Sequence, residues 1–67
     1  MNVGDKVKNI VKLYATSSII PIGTIGTIQQ IDRLHDGSVA LFGYEVAFEG
    51  FPMETFPCAP KEIKVVG

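Results

Sequence analysis

The sequence predicts an all-β fold, a small and strongly bent barrel of five short strands with a single 3-10 turn before the last strand. Three observations lead to this prediction. Residues 44–50, YEVAFEG, alternate between two faces, residues 24–32 are rich in β-branched side chains, and long connections follow the first and second strands. No segment has the length and periodicity of an ordinary helix.

The first strand is predicted over residues 5–13, after the turn-like VGDK. Apolar side chains fall on one face of this strand, at Val7, Val11 and Leu13. The other face carries Lys6, Lys8, Lys12 and Tyr14. Residues 15–22, ATSSIIPI, are predicted to form a connecting loop, because Ser and Thr favour local turns and Pro21 cannot donate to a strand ladder.

The second strand is predicted over residues 24–32, and the pair Asp36-Gly37 is typical of a turn. Residues 33–43 are therefore expected to form a long hairpin connection. The third strand is predicted over residues 44–50, with Tyr44, Val46 and Phe48 on its buried face.

After Gly50 we expect a short fourth strand at 53–56, a proline-bounded 3-10 turn at Pro60–Glu62 and a last strand at 63–66. The predicted core combines the inward positions of these strands: Val7, Val11, Ile25, Ile28, Ile31, Tyr44, Val46, Phe48, Ile63 and Val65.

Composition restricts the classes of function. A chain of 67 residues, 46% of them hydrophobic, is expected to fold as one domain over residues 1–67. Its net charge of −1 disfavours nucleic acid and anionic membranes as partners. Cys58, the only cysteine, cannot form an internal disulfide, and with a single histidine it cannot build a conventional zinc site. We expect a cytoplasmic protein with no metal or cofactor.

Gly23 and Gly26 lie within IPIGTIGTIQQI, a segment without the lysine and the helix that a phosphate-binding loop requires. We expect Gly23 to end the first loop. Gly26 is expected to permit either a β-bulge or a close approach of two backbones.

Four segments together resemble SH3-like barrels: GDKV at 4–7, GTIGTIQQI at 23–31, YEVAFEG at 44–50 and PKEIKVV at 60–66. The pattern is similar to KOW modules of ribosomal and transcription proteins. It is also similar to the small barrel subunits attached to photosystem I, ferredoxin-thioredoxin reductase and nitrile hydratase. The resemblance implies a five-stranded SH3-like barrel and leaves its function open.

An RNA- or ribosome-associated KOW-type module is one function that the resemblance implies. Its contact residues would be the cations Lys6, Lys8, Lys12 and Arg33. In KOW modules a basic residue commonly precedes the first glycine of the motif, whereas this chain has Ile22 there. We expect no catalysis, since nothing in the sequence predicts that His35 and Cys58 converge.

A protein-binding function follows from the apolar residues outside the predicted core, which exceed what so small a barrel can bury. These candidate contact residues are Tyr14, Ile19, Ile20, Leu41, Phe42, Phe51, Met53 and Phe56. The sequence thus favours an accessory subunit or a small regulator or inhibitor of a larger protein. Self-association through the same surface is a further expectation.

Overall fold

The structure is a computed structural model that describes residues 1–14, 18–52 and 54–67. The elements in chain order are β1 (Lys6–Asn9), β2 (Leu13–Tyr14), β3 (Ile19–Ile20), β4 (Ile25–Arg33), β5 (Val39–Phe48), β6 (Phe56–Cys58), the 3-10 turn (Pro60–Glu62) and β7 (Ile63–Val65). The prediction of an all-β fold with one 3-10 turn before the last strand is confirmed.

The strands form a five-stranded antiparallel sheet in the order β6-β5-β4-β1-β7 and a two-stranded sheet of β2 and β3. Within the described residues the ladder ends at β6 and β7, so the sheet is not closed and the predicted closed barrel is wrong in this respect. Each edge strand has only three residues, and Pro57 in β6 has no N–H to offer to a further ladder.

Two predicted boundaries are wrong in the middle of the chain. β5 begins at Val39, so the connection from β4 is only the turn at 34–38, closed by a hydrogen bond from the Leu34 N–H to the Ser38 carbonyl. β6 begins only at Phe56, after a turn closed by a hydrogen bond from the Phe51 N–H to the Phe48 carbonyl. Met53, the predicted start of that strand, lies outside the described residues.

The predicted first strand is interrupted at Asn9, a fully buried polar residue. Its Nδ2 lies 3.0, 3.2 and 2.8 Å from the carbonyl oxygens of Val11, Ile20 and Pro21, and its Oδ1 accepts from the Thr24 N–H at 2.8 Å. One amide thus satisfies backbone groups on both sides of the β2–β3 hairpin, so the chain turns away from β1 at this residue.

Gly26 allows a close approach inside the sheet, whereas Gly23 serves a turn with φ +89°. Gly26 is paired with Val7 on one side and Phe48 on the other. A Cβ at this position would lie 2.6 Å from Val46 Cγ1 and 2.9 Å from Phe48 Cδ1. Of the two roles expected for Gly26, the close approach is the one that the structure confirms.

The β4–β5 ladder has two irregularities, neither of them at Gly26. Gln29 is an extra residue on β4, because Ile28 and Gln30 pair with the consecutive residues Val46 and Glu45. On β5, residues 40–43 all lie opposite the single residue Asp32. We call this four-residue segment the β5 bulge.

The core confirms most predicted inward positions. Its buried hydrophobic residues are Val7, Leu13, Ile20, Ile28, Tyr44, Val46, Phe48, Phe56, Cys58, Ala59 and Ile63. Ile25 and Ile31 are half-buried. Val11 and Val65 were predicted inside but are 40% and 45% exposed, because Val11 follows the interruption at Asn9 and Val65 lies on an edge strand.

Replacing Asn9 by aspartate tests whether the hydrogen bonds of the Asn9 amide stabilise the fold where β1 ends. The two side chains have nearly the same volume, so packing is changed little. A carboxylate cannot donate to the three carbonyl oxygens and would be buried against them, so we expect the free energy of unfolding to fall by at least about 3 kcal/mol. Urea denaturation at neutral pH measures this loss. Asn2→Asp at an exposed position is the control, and equal stability of the two variants would contradict the structural role of Asn9.

Replacing Gly26 by alanine tests the close approach of β1, β4 and β5. The added methyl group would overlap the side chains of Val46 and Phe48, so we expect a loss of about 1 to 3 kcal/mol in the free energy of unfolding. Gly67→Ala is the control, because a Cβ there meets nothing within 4 Å. If the Gly26→Ala protein were as stable as wild type, a Cβ at position 26 would fit between the strands, which would contradict the close approach.

Candidate protein-binding groove

A groove of about 260 Å³ brings together residues from four parts of the chain. It is lined by Lys12, Leu13, Tyr14, Phe42, Phe56, Pro57 and Glu62. These come from β2 and the residue before it, the β5 bulge, β6 and the 3-10 turn. Because aromatic rings and a proline dominate the lining, we treat this groove as the candidate site.

A second depression of about 440 Å³ is lined by Gln29, Ala47, Pro52, Glu54 and Thr55. It is larger but has no aromatic side chain and few apolar groups that a partner could bury. Volume alone does not identify a binding site, so the smaller and more apolar groove is the better candidate.

One wall of the groove is the β2–β3 hairpin, which Asn9 holds through the carbonyl oxygens of Val11, Ile20 and Pro21. Leu13 pairs with Ile20, and both point into the core. Tyr14 pairs with Ile19, and both are exposed, Tyr14 by 74%. Ile20, one of the predicted contact residues, is instead fully buried in the core, because alternation along β3 places it inside.

The opposite wall is the β5 bulge. Gly43 closes this bulge where a Cβ would lie only 2.6 Å from the Asp32 carbonyl oxygen, so the bulge cannot pack this way with any larger residue. Leu41 is 72% exposed and Phe42 is 52% exposed. The bulge therefore presents two large apolar side chains to solvent, and Phe42 also lines the groove.

The floor of the groove is Phe56, which is buried and part of the core. Its ring lies 6.0 Å from the Phe48 ring and meets the Phe51 ring edge-on at 5.8 Å. Phe56 is thus buried, with its pairing to Val46 drawing it inward, and its predicted role as a contact residue stays a prediction that its place in the groove lining allows. Phe51 is half-buried against the core, and Met53 lies outside the described residues.

Two charged residues of opposite sign, Lys12 and Glu62, complete the lining. The Glu62 Oε1 accepts from the Ala59 N–H at 2.8 Å, and the Glu62 carbonyl accepts from the Ile10 N–H at 2.9 Å. The first bond lies within the 3-10 turn and its cap, and the second attaches the turn to the chain leading into β2. Leu13 and Glu62 were not among the predicted site residues. Leu13 reaches the groove as the neighbour of Tyr14 on β2, and Glu62 does so through the packing of the 3-10 turn.

The four cations predicted for RNA binding do not form one surface. Lys6 and Lys8 are exposed on β1, and Lys12 lines the groove. Arg33 donates to the Gly37 carbonyl within the turn between β4 and β5. Tyr14, predicted in line with the lysines, lies instead on the separate β2 strand.

Cys58 is fully buried. Loss of hydration raises the pKa of its thiol from an ordinary 9.0 to about 12, and the negative charges of Glu62 and Glu45 act in the same direction. His35 is exposed in the turn at 34–38. Among the residues placed in the structure, no group of three His, Cys, Asp or Glu side chains is arranged to hold a metal ion.

Comparison of the chain with family models, with curated proteins and with solved structures finds no match. In the described part of the chain, no helix has the length and apolar character needed to cross a membrane.

The Cys58 thiol is expected to be unreactive in the folded protein. A pKa of about 12 in place of 9.0 lowers the thiolate fraction near pH 8 roughly a thousandfold, and burial excludes the reagent as well. Mass spectrometry after iodoacetamide treatment should show no alkylation in buffer and full alkylation in urea. Rapid alkylation of the native protein would contradict the burial of this residue.

Proposed function

We propose that this chain is a non-catalytic protein-binding module of the SH3-like type, acting as an accessory subunit, regulator or inhibitor of a larger protein. The observation that carries the proposal is the groove between β2 and the β5 bulge, where Tyr14 and Phe42 are exposed above the buried Phe56. The five-stranded sheet with a 3-10 turn before its last strand supports the SH3-like type.

The side chains around this groove match those that dominate protein interfaces. Aromatic residues anchor such contacts, and a partner that covers them removes apolar area from water. Burying one large apolar side chain contributes about 1.5 to 3 kcal/mol. Full burial of Tyr14, Leu41 and Phe42 would therefore contribute at most about 5 to 9 kcal/mol, which offsets much of the entropic cost of association.

The position of these side chains also supports the proposal. A fold this small gains stability from every apolar group that it buries, yet the β5 bulge turns two of them outward. The Gly43 backbone passes so close to the Asp32 carbonyl oxygen that a Cβ would not fit, and within this bulge Leu41 and Phe42 are exposed. Their exposure therefore follows from the path of the backbone.

The RNA-binding alternative has less support. It would require Lys6, Lys8, Lys12 and Arg33 to act on one phosphate backbone, and they lie on different parts of the surface. A catalytic role also has little support, because the Cys58 thiol is buried and protonated near neutral pH.

Phe42→Ser tests the proposed function. The substitution removes an aromatic anchor from the groove while leaving the core intact, so we expect retention of a protein partner to fall at least about tenfold. The measurement is affinity capture of proteins from a lysate of the cells that express the chain, quantified by mass spectrometry. Retention by this route should change little with salt, since apolar contacts are not screened.

Leu34→Ser is the matched control. Leu34 is 57% exposed, close to the 52% of Phe42, but it lies in the turn between β4 and β5 and does not line the groove. A specific partner should be retained by wild type and Leu34→Ser alike. Equal retention by Phe42→Ser and wild type would refute the groove as the binding site.

A further inference from the structure

Three lysines project from the same face of two neighbouring strands. Lys6 and Lys8 alternate with the buried Val7 and Asn9 on β1, and Lys64 lies directly opposite Lys8 on β7. We call this surface, made of Lys6, Lys8 and Lys64, the lysine face. Lys6 and Lys8, predicted from the sequence to act with Lys12 and Arg33, are grouped by the strand register with Lys64.

The lysine face has no acidic neighbour across either strand. Lys8 is flanked by Ile25 on β4 and Lys64 on β7, and Lys6 pairs with Thr27. Two like charges directly opposite each other in a sheet destabilise it. The fold therefore carries an unfavourable pair of charges that its own side chains do not neutralise.

The acidic residues nearest in the chain are engaged elsewhere. Asp5 Oδ2 accepts from the Asn2 N–H at 2.8 Å, and Glu62 Oε1 accepts from the Ala59 N–H at 2.8 Å. Across the sheet, the Glu49 N–H donates to the Ile25 carbonyl, which places Glu49 two strand spacings from Lys8, about 9.6 Å. Water and salt strongly screen a charge at that separation.

We infer that the lysine face is a second docking surface, which takes an extended, acidic segment of a partner protein. Charge complementarity selects carboxylates as the ligand groups. Lys6 and Lys8 are two residues apart on a strand, about 6.6 Å, which is also the spacing of every second side chain in an extended segment. Lys64 adds a third lysine, whose Cα lies about 5.5 Å to the side of the Lys8 Cα.

A protein segment fits this surface better than a nucleic acid. Three cations release few counterions from a phosphate backbone, and the net charge of −1 opposes the approach of a long polyanion. Single-stranded nucleic acid also gains affinity by stacking on aromatic rings. The positions flanking Lys6 and Lys8 in the register are Thr27, Ile25 and Lys64, and none is aromatic.

This inference does not rest on the proposed function. None of the three lysines lines the groove. Binding at the groove and binding at the lysine face can therefore be measured separately.

The probe is a fluorescent peptide of four Glu-Ser repeats, with the corresponding Gln-Ser peptide as a neutral control. Fluorescence anisotropy at low ionic strength should detect binding of the acidic peptide only, and binding should weaken steeply towards physiological salt. We expect Lys8→Glu and Lys64→Glu each to weaken binding at least about fivefold, since each substitution turns an attraction into a repulsion. Phe42→Ser should leave this binding unchanged.

Lys61→Glu is the matched control, because Lys61 is an exposed lysine on the 3-10 turn and not on the lysine face. It changes the net charge by the same amount and should weaken binding by less than about twofold. If it weakens binding as much as Lys8→Glu does, the peptide responds to net charge alone and the inference is wrong.

Thermal unfolding separates a binding role from a structural one. Lys64→Glu replaces the like-charged pair with an opposite-charged pair, so we expect Tm to rise by roughly 1 to 5 °C while peptide binding is lost. A fall in Tm together with lost binding would instead assign Lys64 a structural role and overturn the inference.

An oligonucleotide with the same number of charges completes the test. Tighter binding of the oligonucleotide than of the peptide, abolished by Lys8→Glu, would make the lysine face a nucleic-acid surface and refute the assignment to a protein segment.

Discussion

The buried side chain of Asn9 is the constraint on which the arrangement of this chain depends. A primary amide excluded from water must find partners for its N–H groups and its carbonyl oxygen, and here all of these partners are backbone groups of the β2–β3 hairpin and of the turn before β4. Satisfying them ends β1 and turns the chain outward. The exposed position of Tyr14, and with it one wall of the groove, follows from that turn.

The second wall of the groove is the β5 bulge, where the pairing of β4 with β5 departs from a regular antiparallel ladder. In the β5 bulge, four residues span the distance that one residue covers on β4, so the intervening side chains cannot all alternate into the core. Gly43 closes this irregularity by bringing the two backbones together. The candidate site therefore lies where the regular sheet is interrupted on both sides, after the buried Asn9 at one wall and at the β5 bulge at the other.

The groove and the lysine face differ in the physical basis of recognition. Apolar contact in the groove depends on area removed from water and is nearly independent of salt, whereas the lysine face acts through screened charges. The net charge of −1 conceals this difference, because it sums the three lysines of the lysine face with acidic residues elsewhere, such as Glu45 on β5 and Glu49 just after it. Composition therefore describes the whole chain correctly and says little about either surface.

The sequence by itself determined the local features: the inward face of Tyr44, Val46 and Phe48, the turn at Asp36-Gly37 and the 3-10 turn at Pro60–Glu62. Alternation and turn preference depend on neighbours in the chain, so these could be predicted. Only the tertiary structure decided that Ile20 and Phe56 are buried, that Val11 and Val65 are exposed, and that Lys64 joins Lys8. Burial and charge pairing depend on which strand lies alongside, and that register is set by contacts between residues distant in sequence.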